Sequence, residues 1–243
     1  KYPRTAGYRP EGDENPNNAW HRKVTIEGAS RGKLKGKRLA IKDTVCVAGV
    51  PLSNGSSILD GYVPEIDATI VTRLLDAAGT ILGKSSCEYF SYSGGGWTTA
   101  TGPVDSPRNP GHTPGGSSTG SAALIVSGEV DIAIGGDQAG SIRIPASCSG
   151  IVGLKPTHGL VPYTGIMGIE ATIDHTGPMT AGVADNALAL EVLAGPDGLD
   201  SRQRDVKVRR YTKALGEDVA GLKIGVVMEG FGHDDSEPDV DAF

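Results

Sequence analysis

Four short apolar runs, KRLAIKD (37–43), TILGK (80–84), VDIAIGG (130–136) and LKIGVVM (222–228), alternate with segments of helical pattern. Such alternation leaves few architectures open: it predicts an α/β fold whose strands run mostly parallel. The clearest helix is EIDATIVTRLLDAAG (65–79). There Ile66, Ile70, Val71, Leu74, Leu75 and Ala78 share one side, and Gly79 is placed to cap the end. TGSAALIVSGE (119–129) follows a Ser/Thr cluster able to cap a helix, and ADNALALEVLAG (184–195) is a third helix. Between these elements, 94–120 and 135–180 are long Gly/Pro/Ser stretches, and loops of that length in a compact domain are usually functional.

Residues 1–35, opening KYPRTAGYRPEGDENPNNAW, show no period and read as an extended arm ahead of a domain over 36–243. The chain starts at Lys1 and stops at PDVDAF without a terminating element, so it is expected to be one piece of something larger. Its 36 glycines, about twice the average share, follow no fixed period and imply loops with unusual backbone angles or close approach. A net charge of −6 without a basic patch argues against nucleic acid as a partner. No apolar run reaches the length of a membrane span, and no signal-like start is present. Cys46, Cys87 and Cys148 are far apart and odd in number, which fits neither a disulfide framework nor a metal site. Buried free thiols in a reducing, cytoplasmic compartment are expected instead, with no metal and no cofactor.

Three stretches could carry chemistry. AGTILGKSS (78–86) nearly matches a phosphate loop, but Ala78 stands where the first glycine belongs. Gly83-Lys84-Ser85 also falls in a strand where the motif needs a helix to start, so a strand ending at a loop is the better reading. GSSTG (116–120) matches the nucleophile-elbow pattern around Ser118, with Asp174 and His175 as partners in the right order. The elbow needs a preceding strand, which DSPRNPGHTP cannot supply; the bland reading is that Ser117 and Ser118 cap the helix. GGDQAGSIRIPAS (135–147) sets Ser141 in glycine-bordered backbone straight after an apolar strand. His21, His112, His158, His175 and His233 form no catalytic cluster beyond the adjacent Asp174-His175, and His158 and His175 are expected to be hydrogen-bonded loop residues. Lysine is the other possible base, and Lys42 ends the strand RLAIKD, where a side chain can point into a loop-lined cleft.

GGSSTGSAALIVSGEVDIAIGGDQAGSIRIPASCSGIVGLKPTHGLVP (115–162) resembles the signature region of the amidase signature family, with further matches at LAIKDTVCVAGVPLSNGS and TIDHTGPM. GGDQ, GLVPYTG and TIDHTGP are most similar to bacterial amidases acting on small aliphatic and aromatic amides. The resemblance implies an amidase-signature fold, a mostly parallel mixed sheet flanked by helices, present here as its N-terminal half. By the same resemblance, a C-terminal part that helps close the substrate pocket is expected to lie outside this chain. It implies a Ser-Ser-Lys triad, with Ser141 attacking, Ser117 bridging after a cis peptide from Gly116, and Lys42 as base. The N–H groups of Gln138, Ala139, Gly140 and Ser141 would form the oxyanion hole, supported by Ser118, Asp137, Arg143 and Asp174. At an unperturbed pKa of ~10.4, only about one lysine in 2,500 is neutral at pH 7, so burial must depress the pKa of Lys42.

The expected activity is hydrolysis of a small-molecule amide with release of ammonia, in a full-length parent that is a homodimer. The alternatives are a glutamine-using protein like the A subunit of an amidotransferase, or an inactive, partner-dependent chain. Three residues depart from the family pattern, among them Cys148, which stands where a larger, often aromatic residue is common. Ala139 replaces a usual glycine, costing about 1–2 kcal/mol if that position needs a positive φ, and Thr119 replaces Gly or Ser.

Overall fold

The computed structural model describes residues 1–230, and the chain divides into two units, Lys1–Thr212 and Lys213–Phe243. The first unit is built on a six-stranded sheet of order β1-β3-β2-β4-β6-β5. Its centre is β3 (Thr80–Ser85), β2 (Arg38–Lys42) and β4 (Ile132–Asp137), which run parallel. β1 (Trp20–Glu27) pairs antiparallel with β3, β6 (His175–Thr180) pairs antiparallel with β4, and the short β5 (Val152–Gly153) lies outside β6. The α/β class therefore holds, with a parallel centre and antiparallel flanks.

Strand alternation decides which side chains meet which layer. Leu39 and Ile41 of β2 join Ile81, Ile132 and Ile134 in one apolar cluster, covered by α1 (Thr69–Asp76) and α4 (Val183–Leu193). Ala40 and Ala133 face the other way, into a cluster with Met179 and the Ala122, Ala123 and Leu124 side chains of α2 (Thr119–Val126). Alanine on both strands lets α2 approach the sheet closely. Ile70, Val71, Leu74 and Leu75 of α1 are buried. At about 1.5–3 kcal/mol for each buried aliphatic side chain, that face holds together a helix too short to be stable alone.

Several elements differ from the sequence expectation. Residues 20–27, inside the stretch read as an arm, form β1. Trp20, Val24 and Ile26 are buried there, but the strand's register shifts twice against β3, which breaks the alternation. β6 is hidden in the sequence by Gly177 and Pro178. The Pro178 carbonyl accepts the Leu154 N–H at 3.1 Å and Asn186 Nδ2 at 3.1 Å, so its missing donor is the only backbone cost. α3 (Arg143–Ser149) arises inside the expected loop 135–180; Pro145 sits in its first turn, where an N–H has no intrahelical partner to lose. Ile66 precedes α1 and is exposed. The left-handed residue after α1 is Ala78 (φ 70), not Gly79. Gly79 is required for another reason: an added Cβ would lie 2.4 Å from Leu39 Cδ1.

In the second unit, LKIGVVM is not a strand. No strand among the described residues pairs with it, and Met228 opens a 3-10 turn, Met228–Gly230. Apolar β-formers need a partner for their backbone groups before they become a strand. PDVDAF and His233 lie outside the described residues. All three cysteines are free; Cys46 and Cys87 are buried as expected, but Cys148 is exposed. No helix among the described residues is long and apolar enough to cross a membrane.

Candidate active site

Because Ala40 faces α2, so does Lys42 two residues on. Its Nζ donates to Ser117 Oγ at 2.7 Å and lies 3.5 Å from the Gly136 carbonyl, with neither side chain exposed to solvent. Burial lowers the Lys42 pKa to about 8, although Cys87, Asp137 and Glu88 nearby oppose the shift. The peptide bond from Gly116 to Ser117 is cis.

The Ser/Thr cluster at the start of α2 does not cap the helix. It fastens α2 to the sheet instead. Thr119 Oγ1 donates to the Ser86 carbonyl (3.2 Å), and Ser121 Oγ donates to the Ile134 carbonyl (3.0 Å). Ser118 Oγ donates to the Gly136 carbonyl and accepts the Gly136 N–H, each at 3.2 Å. Thr119 is thus accommodated by a hydrogen bond of its own.

Ser141 follows β4, and its carbonyl accepts the Ser118 N–H at 3.2 Å. Its hydroxyl makes no hydrogen bond among the described residues, to Ser117 or to any other group. It opens on a cleft of about 430 Å³ walled by Tyr92, Ile144, Ile169 and Ile173, with Gln138 and Glu170 also at its surface. So Lys42 and Ser117 are joined, Ser141 sits in the adjoining loop, and the contact between the two serines is open.

The loop around Ser141 is set by Asp137. Its Oδ1 accepts the Gly140 N–H (2.9 Å) and Arg143 Nη2 (2.9 Å); its Oδ2 accepts the Ile142 N–H (3.1 Å) and Arg143 Nε (3.0 Å). Burial alone would push the Asp137 carboxyl up, but Arg143 and the two N–H groups hold it below the usual carboxylate range. The Gly140 N–H, expected in the oxyanion hole, is thus engaged by the Asp137 carboxylate. The N–H groups of Gln138, Ala139 and Ser141 have no partner among the described residues. The positive φ falls on Gly140 (128°) and not on Ala139, so the alanine is unstrained.

Gln138 Nε2 donates to Asp174 Oδ1 (2.7 Å) and to the Tyr163 hydroxyl (3.0 Å), and the Asp174 carboxylate also accepts the Ile169 N–H (3.2 Å). Asp174 is therefore a loop fastener beside the cleft. His175 Nδ1 lies 2.7 Å from the Ile173 carbonyl and its Nε2 lies 3.3 Å from Lys155, while His158 Nε2 lies 3.1 Å from the Ala171 carbonyl. Neither histidine bonds Ser118 or Ser141, which removes the elbow arrangement. Lys84 lies within β3, fully buried and 2.9 Å from Asp43 Oδ1, so it is not available to a phosphate.

Sequence reasoning missed Glu88. Its Oε1 accepts the N–H groups of Gly96 (2.8 Å) and Trp97 (3.1 Å), while its buried Oε2 packs against Gly116, where an added Cβ would come within 2.2 Å. CEYF carries no motif that marks this carboxylate. The apolar wall of the cleft was also missed, because Tyr92, Ile144, Ile169 and Ile173 come from segments with no shared pattern. Among the described residues, no group of three or more His, Cys, Asp or Glu is disposed to hold a metal ion.

A family model described as Amidase matches residues 13–243. The chain is 52% identical over 226 residues to an enantioselective amidase of Rhodococcus rhodochrous, covering 91% of this chain and 43% of that protein. It is 44% identical over 211 residues to the glutamyl-tRNA(Gln) amidotransferase A subunit of Methanosarcina acetivorans, covering 87% of this chain and 44% of that one. Among solved structures, the native peptide amidase from Stenotrophomonas maltophilia superposes with a TM-score of 0.71 at 39% identity, covering 76% of this chain and 39% of the other. The chain spans less than half the length of these relatives.

Proposed function

The chain belongs to the amidase family, and on that premise we propose that it hydrolyses carboxylic acid amides through an acyl-enzyme on Ser141, with Ser117 and Lys42 relaying protons. The observation that carries this reading is the buried Lys42–Ser117 pair at 2.7 Å, with the lysine pKa held at about 8. At that pKa about one lysine in ten is neutral at pH 7, against about one in 2,500 for an unperturbed side chain.

In this reading neutral Lys42 takes a proton from Ser117, which takes one from Ser141 as its Oγ attacks the amide carbonyl carbon. The serine–serine hydrogen bond forms with substrate bound, since catalytic hydrogen bonds are often loose before that. The N–H groups of Gln138, Ala139 and Ser141 receive the developing oxyanion, each such donor lowering the barrier by about 3 kcal/mol. The C–N bond breaks, the proton returns through Ser117 to the nitrogen, and ammonia leaves. Water then attacks the Ser141 ester, giving the carboxylic acid and restoring the hydroxyl. Asp137 and Arg143 hold the loop, and Asp174 holds Gln138; neither carboxylate moves a proton.

A second reading is supported by the 44% identity to the A subunit of an amidotransferase. There the same acyl-enzyme forms from glutamine, and the ammonia passes to a partner. The test is labelling with a fluorophosphonate probe, combined with an ammonia assay over a panel of amides. Ser141 is the expected labelled residue, and Ser141→Ala should abolish both labelling and ammonia release. Labelling at Ser118 would overturn the nucleophile assignment; ammonia released from glutamine alone would favour the second reading.

A further inference from the structure

We propose that Glu170 sets the charge preference of the cleft at Ser141, favouring amides whose acyl side is apolar and either neutral or ammonium-bearing, and rejecting those that carry a carboxylate. The chemistry at Ser141 rests on the amidase reading; the charge preference rests on the cleft itself.

Four apolar side chains, Tyr92, Ile144, Ile169 and Ile173, form its walls, and Glu170 is the one charged residue at its surface among the described residues. Glu170 Oε1 accepts the Thr172 N–H and hydroxyl at 3.2 Å each. No group among the described residues bonds its Oε2, so one carboxylate oxygen is left for a ligand.

Lys42, buried behind Ser141, donates to Ser117, and Arg143, Arg202 and Lys155 are engaged elsewhere. Arg143 forms its bidentate pair with Asp137, which also bonds the backbone of the Ser141 loop. Arg202 is paired with both oxygens of Asp200 and donates to the Asp174 carbonyl. Lys155 donates to the Pro156 carbonyl and lies against His175. A carboxylate entering the cleft would therefore find no free cation among the described residues and would meet Glu170. An ammonium would find one unbonded oxygen, with apolar surface beside it for the rest of the acyl group. Attraction and repulsion at an exposed carboxylate are modest, a few-fold in rate or affinity, and weaken with salt.

Three amides that share a benzyl group test this: phenylalaninamide with an ammonium, 3-phenylpropanamide with neither charge, and 2-benzylmalonamate with a carboxylate. The expected order of kcat/KM is ammonium at least equal to neutral, with carboxylate last. Glu170→Gln should shrink the ammonium-to-carboxylate ratio by roughly three- to tenfold at low salt. The same comparison is made without turnover. In Ser141→Ala, NMR titration should show phenylalaninamide binding more tightly than 2-benzylmalonamate, with the difference lost when Glu170→Gln is added. If no amide is hydrolysed but the ammonium preference in binding depends on Glu170, the amidase reading fails and this inference stands. If the malonamate is turned over as fast as the neutral amide, or the ratio ignores Glu170→Gln, the inference is overturned while the amidase reading survives. Failure of both titrants to bind overturns it as well.

Discussion

Lys42 owes its low pKa to its place on the inner face of a central strand, where water is excluded and a serine hydroxyl is the partner within 2.7 Å. Burial disfavours the ammonium form, so the sign of the pH dependence follows directly. A lysine base works when deprotonated, so kcat/KM should climb with pH through about 8. Lys42→Ala should lose about a thousandfold or more, since a relay acts as a unit. His158→Ala and His175→Ala should stay within a few-fold of the parent, because neither ring bonds Ser117, Ser118 or Ser141. The check is kcat/KM against pH for all three variants. An active Lys42→Ala protein, or a His175→Ala protein as dead as Ser141→Ala, would overturn the relay. Lys42 at a strand end, the serine cluster 116–120 and Ser141 after a strand stand out in the sequence by residue type, but singling out Ser117 and joining the three as a triad is what the resemblance to the amidase signature family implies. The engaged N–H of Gly140 could not be read from the sequence, because it depends on where the Asp137 carboxylate folds back, and neither could Glu88 and Glu170, whose neighbours come from distant segments.

The elements most legible in the sequence were those whose apolar pattern was uninterrupted: β2, β3, β4, α1, α2 and α4. Those that were missed each carry a local contradiction that tertiary contacts resolve. β1 has two register shifts, β6 contains Gly177-Pro178, and α3 contains Pro145. The joint between β2 and β3 was hidden for a different reason. Lys84 read as a strand residue of no special role, yet it forms a buried ion pair with Asp43, just past the end of β2. Asp43 Oδ2 in turn accepts the Ser53 N–H and hydroxyl and the Asn54 N–H, fixing the loop that follows. Burial would push the Asp43 carboxyl up, but Lys84, His21 and those hydrogen bonds bring it below its usual range. Lys84→Met would leave that carboxylate buried without its ammonium. The expected loss is about 3–5 kcal/mol in urea unfolding. A loss below about 1 kcal/mol would mean the pair is dispensable to the sheet.

In β2 and β4, Ala40, Ala133 and Lys42 lie on the face toward α2, and large aliphatic residues lie on the other. The larger cluster supports a fold that must also hold a buried lysine, and the whole molecule bears the cost of that lysine. Its pKa is about 8 when folded and 10.5 when not. Below pH 8 both states bind the proton, and the native state carries a buried charge. Between about 8 and 10.5 the unfolded chain binds a proton that the folded chain does not, so stability rises with pH across that window. The shift corresponds to about 3 kcal/mol of destabilisation at pH 7. Lys42→Met keeps the length of the side chain and removes the charge, at the expense of the hydrogen bond to Ser117. The variant should therefore be about 1–3 kcal/mol more stable than the parent at pH 7 while being inactive. The advantage should shrink as the pH is raised toward 10, because the parent sheds its proton and the variant has none to lose. Urea unfolding of both proteins at pH 7 and pH 9.5 isolates this one group, since every other titration is common to the pair. A stability difference that stays constant between the two pH values would mean that Lys42 does not titrate in this window, and would remove the neutral lysine on which the proton relay depends.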